Sequence, residues 1–162
     1  MIRIGHGFDL HRLIPGRPLW LGAVQIPFDR GLFGHSDGDV VCHAIADALL
    51  GAAGLADIGH LFPDTDPAIA NIRGAEILRQ TAAQIGAAGW AITNLDATVI
   101  AETPRLAPHI QEMRTAIAAA LGLDPGRVGV KATTSEGLGA TGDGNAIATH
   151  AVCLLHALPI HG

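Results

Sequence analysis

The chain predicts an α+β fold: a mixed sheet covered by helices on one side, with residues 1–162 as a single domain. Three observations carry that expectation. Segments with strand-like alternation and segments with helical periodicity follow one another along the chain. The length of 162 residues and an apolar fraction of 49% are enough for one substantial core. The last strand-like run, residues 146–155, is apolar on both faces, as expected of a central strand buried on both.

The elements follow in order. Residues 2–8 read as a strand, and Asp9-Leu10-His11 adds an alternating pair, whose side chains on a strand point the same way. Residues 12–18, with two prolines, read as a loop. Residues 19–27 read as a short strand pair turning at Gly22-Ala23, and 29–38 as a Gly-rich loop. Residues 39–53 read as a helix. Its apolar face is Val41, Ala44, Ile45, Ala48 and Leu49; Asp39, His43 and Asp47, four apart, form a polar stripe opposite. Residues 54–67 mix aspartates, prolines and Phe62 too closely for a solvated linker, so this stretch reads as a binding loop. A second helix fits 73–88, a strand 92–101, and a third helix 105–121 with Gly122 past its end. A strand over 128–134 runs into Ser135–Gly142, and 156–162 is a tail.

Composition excludes several function classes. Net charge is −5 and Lys131 is the only lysine, so the basic surface that nucleic-acid binding requires is missing. A protein of this charge that handles phosphates must draw most of its positive field from metal ions and backbone amides. No apolar run is long enough to span a bilayer, and residues 1–6 hold no signal-peptide core, which makes the cytoplasm the expected location. Mean hydropathy is +0.35. That excess of apolar surface predicts burial in an oligomer interface. Cys42 and Cys153 make no disulfide framework, and Cys42, rotated about 100° from His43, reads as a small buried residue.

Two fragments suggest chemistry. Asp9, His11 and His43 could make a His/His/carboxylate site suited to zinc or a similar ion, with the open fourth position of a catalytic centre and with Asp39 or Asp47 orienting His43. Taken singly, each fragment more often reads as a solvated surface than as a site. Thr133-Thr134-Ser135-Glu136 could bind phosphate oxygens and a divalent ion, or could be a turn whose hydroxyls cap backbone groups. Gly137–Gly142 spells G-x-G-x-x-G, but an apolar strand-like run follows it rather than a helix, so it is no dinucleotide fingerprint.

Four motifs in order closely resemble the 2-C-methyl-D-erythritol 2,4-cyclodiphosphate synthase family. They are Gly5-His6-Gly7-Phe8-Asp9-x-His11, His35-Ser36-Asp37-Gly38-Asp39-x-x-x-His43, Asp57-Ile58-Gly59-x-x-Phe62-Pro63-Asp64-Thr65-Asp66 and Lys131-Ala132-Thr133-Thr134-x-Glu136. The resemblance implies a lyase of isoprenoid precursor synthesis that closes a cyclic diphosphate and releases CMP. It implies a homotrimer with three active sites, each between adjacent subunits. It implies zinc on Asp9, His11 and His43, and magnesium or manganese held with the substrate diphosphate by Glu136. His35 and Thr134 take catalytic positions. His35, Ser36, Phe62 and Asp64 hold the methylerythritol end, while Asp57, Ile58 and Gly59 meet the ribose side. Ala101, Pro104, Leu106 and Ala132 line a cytosine pocket, and Thr133 and Thr134 bind phosphates. The chain departs from the family pattern at Ala140, Asp143 and Asn145, where Phe, Arg and Glu are usual. No side-chain role is carried onto those three. A trimer that binds without turnover and a metal-dependent phosphohydrolase are the competing readings.

Overall fold

The computed structural model describes residues 1–63, 65 and 71–159. Five strands form one sheet in the order β4-β1-β7-β5-β6: β1 (Ile2–Pro15), β4 (Arg30–Leu32), β5 (Trp90–Ile100), β6 (Val128–Thr133) and β7 (Ala146–Ala157). β7 is antiparallel to both β1 and β5, whereas β5 and β6 run parallel, so the sheet is mixed as expected. A separate hairpin joins β2 (Leu19–Leu21) to β3 (Val24–Ile26). Its turn falls at Gly22 and Ala23, both with positive φ.

The first strand runs on past His11 to Pro15, into the stretch expected to be a loop. It pairs with β7 from Ile2↔His156 to Arg12↔Ala146, and its last residues, Leu13 to Pro15, pair with β4. The prolines that suggested a loop sit at and beyond its end, where a missing N–H costs nothing in the ladder. β4 itself lies in the stretch expected to be a Gly-rich loop, and three residues are too few to show a period.

Helix α1 (Val40–Ala53) packs against β1 and β7. The approach is close: a Cβ on Gly5 would lie 1.8 Å from the Ala48 carbonyl oxygen, and one on Gly7 2.0 Å from that of Ala44. Two glycines on the inward face of β1 therefore let the helix backbone rest on the strand. Ile45, Leu49 and Leu50 are fully buried there. Each such side chain contributes about 1.5–3 kcal/mol of transfer free energy. The polar stripe is not a solvated face. Asp39 is fully buried and His43 nearly so, and only Asp47 keeps partial exposure.

Helix α2 (Ile58–Leu61) is one turn inside the expected binding loop. Helix α3 (Gly74–Ala87) packs on α1 and on α4 (Ile110–Leu121). The third helix does not begin at 105. A 3₁₀ turn over Ala107–His109, with Pro108 in its first positions, precedes α4. The Thr103–Pro104 peptide is cis. One further turn, α5 (Gly139–Gly142), precedes β7.

Burial of β7 on both faces holds only for Ala146–Thr149. Beyond it His150 and His156 are exposed and Val152 is 45% exposed. The same outer face of β1 shows Ile2 at 72% and Ile4 at 75%, with Phe8 and Leu10 about half exposed. The helices α1, α3 and α4 cover one face of the sheet; on the other, β1 and β7 from His150 onward are exposed among the described residues. Among the described residues no helix is long and apolar enough to cross a membrane.

Candidate active site in two halves

The first half is built by β1 and α1. Asp9 and His11, two apart on the strand, share a face, and the seating of α1 on Gly5 and Gly7 brings His43 against them. Asp9 Oδ2 lies 2.9 Å from His43 Nδ1 and 3.1 Å from His11 Nε2. One ligand atom from each residue lies within 4.8 Å of the others. Two atoms each about 2.0–2.2 Å from one tetrahedral ion stand about 3.4 Å apart, so the cluster fits zinc or a similar ion with small adjustment.

Both imidazoles are held from behind. His11 Nδ1 is hydrogen bonded to the Phe33 carbonyl oxygen, which leaves Nε2 facing Asp9. His43 Nε2 pairs with Ser36 Oγ at 3.1 Å, and the same oxygen accepts the Gly38 N–H. Backbone and hydroxyl partners of this kind fix ring orientation in metal sites. Burial alone raises the pKa of Asp9, but hydrogen bonds from His11 and His43 outweigh it and hold the carboxyl well below its ordinary range. His11 is raised, chiefly by its bond to Asp9. The Asp9 carboxylate is therefore the common partner that draws the two imidazoles together.

Asp39 and Asp47 do not orient His43. Asp39 caps α1, accepting from Val41 and Cys42 N–H, and also accepts the N–H groups of Gly22 and Ala23 in the β2–β3 turn. Asp37 accepts the N–H of Asp39 and of Gly74, tying the loop to the start of α3. Both aspartates are architectural. Asp47 accepts the Ile58 N–H at 2.9 Å and so anchors α2 beside the cluster. The Cys42 thiol donates to Asp39 Oδ2, and burial pushes its pKa far up, which makes it an inert small residue.

A cavity of about 320 Å³ opens over this cluster. His35, Ser36, Ile58, Gly59 and Phe62 line it, with Ile72 and Ile77. Asp57, the cap of α2, accepts the His60 N–H and is exposed outside that lining. Asp64 lies outside the described residues. Ile72, Ile77 and the Phe33 carbonyl carried no signal in the sequence: a backbone carbonyl leaves none in a side chain, Ile77 sits on an ordinary helix face, and Ile72 precedes that helix.

The second half lies at the C-terminal ends of β5 and β6. A separate cleft of about 380 Å³ is lined by Ala101, Glu102, Pro104, Leu106, Ala132, Thr133 and Thr134. Glu136 follows on the exposed loop. Its Oε1 accepts the Thr134 hydroxyl at 3.1 Å, and its N–H reaches Thr134 Oγ1 at 3.3 Å. The hydroxyl therefore acts within a turn, and it also stands beside a carboxylate as a hard-oxygen pair suited to magnesium or manganese. The N–H groups of residues 135, 136 and 137 all have partners inside the protein. This loop is consequently not a cradle of free amides for phosphate; the cationic side chain on the cleft wall is the exposed Arg105, whereas Lys131 is ion paired with Asp96.

No residue lines both clefts. Strand β1 is separated from β5 and β6 by β7, with strands spaced about 4.8 Å apart.

An α+β sheet that delivers an Asp–His–His cluster and, apart from it, a hydroxyl-and-carboxylate loop defines a metal-binding protein of phosphate chemistry. The model of the YgbB family matches residues 2–156, and the chain belongs to that family. A protein of Laribacter hongkongensis named 2-C-methyl-D-erythritol 2,4-cyclodiphosphate synthase is 56% identical over 156 residues, 96% of each chain. The bifunctional IspDF of Campylobacter jejuni superposes with a TM-score of 0.93 at 43% identity, covering 98% of this chain and 43% of that one. A CDP complex of IspF from Plasmodium falciparum gives a TM-score of 0.85 at 35% identity, covering 98% and 97%.

Proposed function

We propose that residues 1–162 act as one domain of a cytoplasmic homotrimer that converts 4-diphosphocytidyl-2-C-methyl-D-erythritol 2-phosphate to 2-C-methyl-D-erythritol 2,4-cyclodiphosphate and CMP. The observation that carries this reading is the convergence of both imidazoles on one Asp9 oxygen, in a chain whose relatives are named for that product.

In the reaction an oxygen of the 2-phosphate attacks the β-phosphorus of the diphosphate, the bond from that phosphorus to the bridging oxygen breaks, and CMP leaves. The nucleophile is already an anion, so no strong general base is required. The task is to fold a flexible polyanion into an in-line geometry and to offset its charge. Asp9, His11 and His43 would hold zinc or a similar ion, and Glu136 magnesium or manganese. When bound, such ions neutralise phosphate charge and polarise phosphoryl oxygens. His35 and Thr134 stand at the reacting phosphates, with Thr133 on the diphosphate. Ser36, whose hydroxyl also steadies His43, takes the methylerythritol end with His35, Phe62 and Asp64, while Asp57, Ile58 and Gly59 serve the ribose side. Ala101, Pro104, Leu106 and Ala132 wall in the cytosine.

The trimer is supported by two facts of the single chain. The two halves open into different clefts, so one substrate reaches both when the halves come from different copies. The bare outer face of β1 and β7 supplies apolar surface for the contact. The test is turnover: zinc-loaded protein with magnesium should release CMP, and phosphorus NMR should show the cyclic product. Folded, loaded protein that releases none overturns the reading. A linear product, in which water has attacked, makes it a phosphohydrolase instead.

A further inference from the structure

Glu102 is half-buried just past the end of β5, on the wall of the second cleft. Its Oε1 accepts the N–H of Ser135 at 2.9 Å and that of Gly137 at 3.3 Å. These two amides bracket Glu136, which holds a left-handed backbone at φ 52° although it carries a side chain. Such a conformation costs free energy and persists only where its surroundings impose it. Gly137 continues it at φ 77°, and the Ser135 hydroxyl is bonded to that of Thr141 at 2.6 Å.

A second carboxylate beside a diphosphate site is electrostatically unfavourable for binding that diphosphate. Its presence calls for another role, and an anion accepting two amides on either side of a strained residue has one. We propose that Glu102 is a positioning residue: it braces the 135–137 loop so that Glu136 is aimed at the second divalent ion, and it links the nucleotide wall to the metal-holding loop. The proposal rests on the function given above for Glu136 and adds a residue that acts only through it.

The test compares Glu102→Leu and Glu102→Gln with the parent chain. The amide keeps an oxygen acceptor at nearly the same place; Leu keeps the bulk and loses the acceptor. Three quantities are read: hydrogen exchange at the Ser135 and Gly137 amides, manganese binding by electron paramagnetic resonance in the presence of CDP, and zinc content. Glu102→Leu should exchange both amides at least about tenfold faster and raise the manganese half-saturation about tenfold, at unchanged zinc content. Glu102→Gln should stay within about twofold of the parent in both. A variant impaired only by a general loss of structure would lose zinc as well, and Gln would not rescue it. Unprotected Ser135 and Gly137 amides in the parent protein overturn the brace, a result that needs no variant to fold. Equal manganese half-saturation in parent and Glu102→Leu overturns it too. A parent chain that releases no CMP overturns the proposed function instead, and the amide exchange still decides the brace.

Discussion

The two halves of the site are built on opposite plans. The metal half is mounted on regular structure: one strand, one helix seated on it through Gly5 and Gly7, and imidazoles each fixed by a second partner. The nucleotide half is a strand end and loop at the edge of the sheet, exposed from Lys131 to Thr134 and from Glu136 to Ala140, with a left-handed backbone at Glu136 and Gly137. The difference teaches where each kind of precision is needed. An ion requires three atoms converging on one point, which rigid elements supply before binding. A flexible diphosphate requires surfaces it can settle between, and those lie on loops.

Removing a ligand from the rigid half should have the largest effect. His43→Ala takes away one of three converging atoms while leaving a good helix former in α1. Zinc measured by elemental analysis should fall to a small fraction of the parent content, and CMP release should drop by more than about 100-fold. Full zinc occupancy would mean that the cluster is not the site. The division between copies is tested by mixing. His43→Ala damages only the metal half, and Glu136→Lys, which puts a cation where the second ion would sit, inactivates only the nucleotide half. After dissociation and random reassembly of equal amounts, a site formed between neighbouring copies has both halves intact in about one case in four. The mixture should recover about a quarter of parent activity relative to either variant alone. No recovery from a verified mixed trimer would place both halves of a site in one copy.

A smaller effect belongs to the loop alone. Glu136→Gln removes a formal charge from a hard-cation ligand but keeps an oxygen. Zinc content should be unchanged, while the magnesium or manganese needed for half-maximal CMP release should rise about tenfold. An unchanged dependence would remove Glu136 from that role and erase the contrast between the halves.

The two halves also differed in how far the sequence disclosed them. The spacing of Asp9, His11 and His43 brought three ligands together before any fold was known, because period 2 and period 3.6 each fix a face. The same reasoning failed on the rest of the stripe: Asp39 is spaced to face His43 but caps α1 and locks the β2–β3 turn, a tertiary role without a local signal. The nucleotide half came from the resemblance and not from any period, since its residues come from separate strand ends that only the sheet order brings together. Residues 12–15 read as loop because they are strand by virtue of β7 and β4 beside them, not of any alternation of their own. The bare face of β7 could not be foreseen from its run of apolar residues, which reads the same whether a helix or another copy covers it.

The smallest predicted effect separates the halves by titration, in protein stripped of metal. Asp9 is held below its ordinary value of 3.8, so its contribution to stability is complete above that pH and is lost as pH falls through the lowered value. His11 is raised above its ordinary 6.5, so its contribution is complete below that pH and is lost as pH rises through the raised value. Both are present together between pH 3.8 and 6.5. Scanning calorimetry of chelated protein should therefore show a component of Tm, a few degrees at most, that is largest in this acid window and declines toward alkaline pH. Zinc reverses the trend, because His11 must lose its proton to become a ligand: the gap between loaded and stripped protein should widen as pH rises and close as it falls. Asp9→Asn should flatten the stripped-protein curve, since it removes the partner that both shifts share. Glu136→Gln should leave the curve as in the parent, because no histidine lines the second cleft among the described residues. A stripped protein that gains stability between pH 6 and 8, with Asp9→Asn following the same course, would mean that the charged cluster contributes nothing without its ion, and that the rigidity of the metal half rests on the packing of α1 against β1 alone.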